Sequence, residues 1–411
     1  MALFGRAKTT HLTAAHVAEA RQYIADFWPQ LYRHHTKDND SRIGLPHPYL
    51  VPAYEAGSSF DFDEQYYWDT YFMVQGMLDA EHKDLVIGML DNLCSLYERF
   101  GIIPNASRVY LLSRSQPPLL TTLIRDVYEA YDLDRKWLKK HMTVAESEYH
   151  TVWMGTKKPH ERLVFQGLSR HYDINYLNDL AEAESGWDMT PRFERRALDF
   201  LPVDLNAFLY KYEADFAWFA RLSGHEKAAR KWDAAAAERK ETMNKLMWHK
   251  SRGLFYDYDF AKGKRGSVAS LATYVPLWAG MVSDEQAAYL AKNLKRFEKS
   301  GGLTTTDTAP ISPLIPGGRP VQWAYPNGWA PLHFLVIQGL ERYGYHENAR
   351  RIALKWLRGN LGWFNNHGVF LEKYNVVSPE KPPARGVYPS QTGFGWTNAV
   401  FERLCRDYLD K

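Results

Sequence analysis

Apolar residues recur at spacings of three and four through most of the chain, the period that turns one face of an α-helix toward a core. In the first such segment, from Thr13 to about Arg33, Val17, Ala20, Ile24 and Trp28 share a stripe. A second begins in Tyr66-Tyr67-Trp68-Asp69-Thr70-Tyr71-Phe72 and reaches about Glu81. Helical patterns follow at 84–99, 117–133, 136–155, 191–198, 204–222, 225–247, 284–298, 327–343, 345–358 and 393–409. Two-residue alternation is rare, and Gly253 to Asp259 is its best instance, read as a short strand or hairpin arm. Between Leu45 and Pro52 the prolines forbid helix and favour an extended path. The chain therefore reads as all-α. No low-complexity or strongly charged linker divides it, and the succession of helical hairpins predicts a closed toroid of paired helices with functional loops at one end. A helical solenoid would show a repeat of fixed period, and none is found.

Size and composition narrow the chemistry. The 411 residues suffice for a large core. With 51 Lys and Arg against 48 Asp and Glu, the overall field attracts neither nucleic acid nor an acidic membrane surface. Aromatic residues make up 15% of the chain, including 14 Trp and 26 Tyr, often next to Asp, Asn and Arg. A pyranose offers apolar C–H faces and a rim of hydroxyls, so flat rings with polar neighbours suit a sugar cleft. A helical protein that fills its core with aromatics gives a similar count. Cys94 and Cys405 lie in apolar helical surroundings and read as two buried thiols. The N-terminal residues lack the apolar run of a signal peptide, and no segment has the length of a membrane span. A cytoplasmic protein with a small-molecule sugar as partner is the expectation; a monomer is favoured, with the oligomeric state left open.

Two carboxylates stand out. Ser185-Gly186-Trp187-Asp188 is a tight turn that sets an acid beside a large ring, where low dielectric disfavours the charged form and keeps a proton available near neutral pH. In Leu371-Glu372-Lys373-Tyr374, Lys373 suits an ionised Glu372 that accepts a proton from water. One acid and one base suffice for glycoside hydrolysis. Taken singly, Asp188 reads as the N-cap of a helix starting near Pro191, and Glu372 as a surface ion-pair partner.

Several segments together resemble the trehalase family of inverting glycoside hydrolases. Phe62-Asp63-Glu64-Gln65-Tyr66-Tyr67-Trp68-Asp69-Thr70-Tyr71-Phe72 is similar to its first signature and Gln322-Trp323-Ala324-Tyr325-Pro326-Asn327-Gly328-Trp329 to its second. Ile103-Pro104-Asn105, Ser113-Arg114-Ser115-Gln116-Pro117-Pro118, Ser185 to Asp188, Pro202 to Asn206, Glu372-Lys373-Tyr374 and Gly393 to Asn398 fall in the family's order. The resemblance implies an (α/α)6 barrel over residues 46–411, with 1–45 as an N-terminal helical extension. It places the general acid on Asp188 and the general base on Glu372. It sets Phe62, Trp68, Asp69, Asn105, Arg114, Gln116, Trp187, Gln322, Trp323 and Trp396 around the sugar. From residue chemistry alone, Asn105 also reads as a turn residue and Arg114 as an ion-pair partner of Asp69 or Asp188.

The chain departs from the family where sugars are gripped. Asp61 stands in place of an Arg, Ala324 in place of an acid, Val387 in place of a carboxylate, and an Arg-Pro-Glu element is missing near Ser169 to Ile174. The reaction implied is hydrolysis of an α-glucosidic bond, with α,α-trehalose first among substrates. Another small α-glucoside, or one with a charged aglycone gripped by Arg170 or Arg385, comes next, and a non-catalytic sugar-binding barrel is the alternative from another class. A phosphorolytic enzyme would need a basic phosphate pocket in place of Glu372. No metal-ligand spacing or nucleotide fingerprint occurs, so no cofactor is expected; His333 and His367 read as structural histidines before cleft residues.

Overall fold

The computed structural model describes residues 12–55, 62–158, 160–310, 321–384, 386 and 390–410, with the backbone of 314–315 and 319–320. Its helices, in chain order, are α1 Ala14–Leu31, α2 Tyr67–Gln75, α3 Lys83–Phe100, α4 Leu120–Ala130, α5 Arg135–Glu148, α6 Asn178–Glu184, α7 Val203–Leu222, α8 Glu226–Met247, α9 Val275–Trp278, α10 Asp284–Phe297, α11 Ala330–Arg342, α12 His346–His367 and α13 Gly395–Tyr408.

Burial sorts these into two rings. Every residue of α2 is buried and most of α7 is, as expected of helices surrounded by other helices, whereas α8 buries only one stripe. The inner helices α4, α7, α9, α11, α13 and α2 pack in that order around a ring. Gln75 of α2 closes it by donating to Asp126 of α4 at 2.9 Å. Outside lie α3 and α5 against α4, α8 against α7, and α10 against the 3-10 turn Leu271–Tyr274 that leads into α9. On the remaining side α12 lies against α11, and α1 against α12 and α13. The fold is all-α, an (α/α)6 barrel. At the α2–α13 crossing a Cβ on Gly76 would lie 2.5 Å from the Cα of Ala399, so the backbones approach closely only because this residue has no side chain.

Several boundaries differ from the periodicity. The second helix ends at Gln75 rather than near Glu81, at that same Gly76. Residues 191–196 are not helical, and only a short 3-10 turn, Ala197–Asp199, follows them. Glu194 and Arg195 have positive φ, and Arg192 is drawn inward to buried carboxylates, so the chain turns instead. The helix precedes the turn, as α6. Residues 149–153 form a π-helical turn after α5, and α12 runs nine residues past 358. Asn327–Trp329 is a strand, not the start of α11, and it pairs antiparallel with Lys373–Asn375. Gly253 to Asp259 contributes two short strands: Leu254–Phe255 returns along Trp248–His249, and Tyr258–Asp259 lies between Phe200–Leu201 and Lys264–Arg265.

Cys94 and Cys405 are buried free thiols. Buried His333 is satisfied by Leu303 N and Trp329 O, while exposed His367 bonds Trp363 O. No described helix is long and apolar enough to cross a membrane.

Candidate active site

At the N-terminal mouth of the inner ring, the first turns of α2 and α13 and the loops before α4 and α11 surround a cavity of about 190 Å³. Phe62, Trp68, Asp69, Asn105, Arg114, Gln116, Asp188, Trp323 and Trp396 line it. So do Tyr66, Tyr110 and Phe394, which the sequence reading did not single out. Tyr66 sits within the first signature, which was its available signal.

Asp188 is held by the turn that precedes it. Gly186 has φ 74°, and a Cβ there would lie 2.6 Å from the Trp68 ring. Gly186→Ala is therefore expected to shift Trp68 or the turn, at roughly 1–3 kcal/mol as for overpacking. Chemical denaturation together with the kcat of the variant measures it. The Ser185 hydroxyl accepts from Trp187 N at 3.1 Å and donates to Glu182 O at 2.6 Å. From the other side, Gln322 donates its amide to the Asp188 carbonyl and Met189 O accepts from Trp323 N at 3.0 Å. Asp188 therefore caps no helix. Gln322 acts through this backbone bond rather than from the cavity wall.

Trp187 is also behind the wall. It stacks on Trp323 with centroids 5.5 Å apart and on its other side meets the Arg192 guanidinium at 4.2 Å. Trp323 in turn stacks on Trp329 at 3.7 Å with planes 2° apart, and Trp68 and Trp396 meet Trp323 at 5.8 and 6.2 Å. These contacts leave the tryptophans no free rotamers, so their faces are fixed before any ligand arrives.

Glu372 is not among the residues that line the cavity; it is held beside the second signature by a strand pair that periodicity did not show. Trp329↔Lys373 and Gly328↔Tyr374 register its segment against the second signature. Glu372 N donates to Gln391 O at 3.1 Å, and Trp396 Nε1 donates to the Glu372 carbonyl at 3.1 Å. The side chain is fully buried, with Lys373 Nζ 2.7 Å from its Oε2. Lys373 also lies 5.1 Å from the Trp329 ring centroid.

The electrostatics follow from this burial. Asp188 is pushed up to about 7, first by loss of solvent and then by the Glu372 charge, with its own backbone N–H, Lys373 and Arg114 pulling the other way. Asp69 is pushed up to about 8, again by burial first, with Glu372 and Asp188 adding to it against its backbone N–H and Gln116. Asp188 and Asp69 thus both hold their protons near neutral pH, and each feels the Glu372 charge.

The remaining predicted residues have identifiable supports. Gln116 accepts from Trp68 N at 2.9 Å, and Asn105 donates to Ser115 O at 3.1 Å. Arg114 pairs with Asp173 at 3.1 Å, not with Asp69 or Asp188. Glu184, at the end of α6, accepts from Ser115 N at 2.8 Å and from Arg162, tying the Arg114–Gln116 loop to the helix before Asp188. Burial opposes its charge, yet Arg162 and His171 hold Glu184 down at about 2. Glu184 and Arg162 were missed because nothing local distinguishes them from surface charges. Arg170 is no aglycone clamp: its guanidinium is spent on the carbonyls of Glu161, His160 and Leu198. Asp61, Arg385 and Val387 lie outside the described residues, and Ala324 is buried.

The Trehalase family model matches residues 6–184 and 175–408. Among solved structures, the neutral trehalase Nth1 from Saccharomyces cerevisiae is 28% identical with a TM-score of 0.76, over 97% of this chain and 80% of that one. A GH63 mannosylglycerate hydrolase from Thermus thermophilus, in complex with glucose, is 19% identical with a TM-score of 0.67, over 93% and 99%; at that identity the likeness is one of fold. With its signatures gathered around one cavity and the family model matched along nearly its whole length, the chain belongs to the trehalase family.

Proposed function

We propose that this protein is an inverting glycoside hydrolase acting on an α-glucosidic bond, with α,α-trehalose as its first substrate. Asp188 donates a proton to the leaving oxygen, and Glu372, paired with Lys373, takes a proton from the water that attacks the anomeric carbon from the opposite face. The observation that carries this reading is the pairing of environments. Asp188 sits on the cavity wall with its proton held to about pH 7, and Glu372 lies within electrostatic reach of it while bonded to a buried ammonium. One carboxyl that holds its proton and a neighbour that sits against a cation divide the acid and base roles.

The cavity, at about 190 Å³, is below the roughly 300–1,000 Å³ of pockets that enclose drug-sized ligands, and suits one pyranose ring. Trp68, Trp323 and Trp396 supply apolar faces, and Asp69, Asn105, Arg114 and Gln116 supply groups for hydroxyls. The neutral trehalase similarity favours trehalose. The test is a panel of trehalose, other α-linked glucosides and glucosides with carboxylate aglycones, scored by kcat/KM. Trehalose in first place supports the reading; binding without product over long incubation would replace it with a non-catalytic sugar-binding barrel.

A pH dependence follows. The acid works only when protonated, so kcat/KM is expected to fall as pH rises through about 7, the value for Asp188. Asp69, at about 8, shares that limb because the groups titrate together. A pH–rate profile for trehalose checks it, and a rate that climbs steadily through this range would be incompatible.

A further inference from the structure

A second concavity of about 630 Å³ lies where the end of α8 meets the Tyr258–Arg265 hairpin, and its charge is one-sided. Lys245, Arg252, Lys264 and Arg265 line it together with His249, and no carboxylate does. None of these four cations takes part in an ion pair among the described residues. The carboxylates at its edges are engaged: Asp307 with Arg296, and Glu194 with Arg196. Arg265 donates to Lys245 O at 3.1 Å, satisfying a carbonyl in the last turn of α8, while its Nε is buried without a hydrogen-bond partner. Arg252 packs over the Tyr256 ring at 5.7 Å, and Tyr258 adds a second ring.

Elsewhere on this chain charges are nearly balanced, and four unpaired cations facing one hollow repel one another unless an anion joins them. We propose that this hollow binds a small phosphorylated molecule. Converging guanidinium and ammonium groups match phosphate oxygens, and the volume is that of a small-molecule site. A concave pocket of this size favours such a ligand over an extended polyanion.

The test is calorimetric titration of the full chain with inorganic pyrophosphate and with ATP at about 0.15 M ionic strength, where loose surface attraction is screened. Saturable one-to-one binding is expected, undisturbed by excess glucose. The double variant Arg252→Ser, Lys264→Ser should weaken it about tenfold or more by removing two charge-assisted contacts, with turnover without added phosphate unchanged. Both residues are exposed, so folding is not at stake. Absence of saturable binding, binding that the double variant leaves intact, or binding seen only with DNA or heparin would each overturn the proposal.

Discussion

Asp188→Asn is expected to lower kcat for trehalose by about 10²–10⁴-fold, the range lost when a positioned proton donor is removed. The amide keeps the shape of the carboxyl and can still accept at the same place, so the turn around Gly186 and the stack behind it remain. The loss should depend on the leaving group. With α-glucosyl fluoride, whose leaving group departs with little protonation, the variant should regain most of its deficit, whereas Glu372→Gln should remain slow on both substrates because water activation is needed in each case. Steady-state rates on the two substrates separate the roles. An Asp188→Asn enzyme with full activity on trehalose removes this residue from the chemistry.

The second large effect concerns stability. Arg192 is wholly buried between Asp204, with two bonds of 2.7 Å, and Asp257, at 2.7 and 3.0 Å. Burial works against the charge on Asp204, yet Arg192 holds that carboxyl below its ordinary range. Arg192→Met fills similar space but leaves two carboxylates buried and without their cation, which costs about 3–5 kcal/mol. Because the guanidinium also covers the back of Trp187, kcat should fall along with stability. Urea unfolding gives the number, and a loss under about 1 kcal/mol would show that solvent or another cation reaches the pair.

How much of this could be read from the residues follows from the range of the forces involved. Helical periodicity is local, so the positions of most barrel helices were legible within a few residues. Trp68, Asp69, Gln116, Asp188 and Trp323 announced themselves because their short motifs combine ring and polar group. Long-range pairings were not legible. The strand Lys373–Asn375 is three residues long and has no partner in sequence nearer than Trp329, yet it sets Glu372 in place. Arg192 and Glu184 look like surface charges until Asp257 and Ser115, distant in the chain, are brought to them. Trp187 and Gln322 were placed on the sugar; like Glu372, neither is among the residues that line the cavity, and both support the Asp188 turn and the ring stack instead.

The most direct measurement is the anomeric form of the first sugar released. Proton NMR of early trehalose hydrolysis should show α- and β-glucose appearing in equal amounts, the β-anomer from the ring attacked by water and the α-anomer from the departing half. Release of α-glucose alone would mean that configuration is retained, and the pairing of Asp188 as acid with Glu372 as water activator would then be wrong.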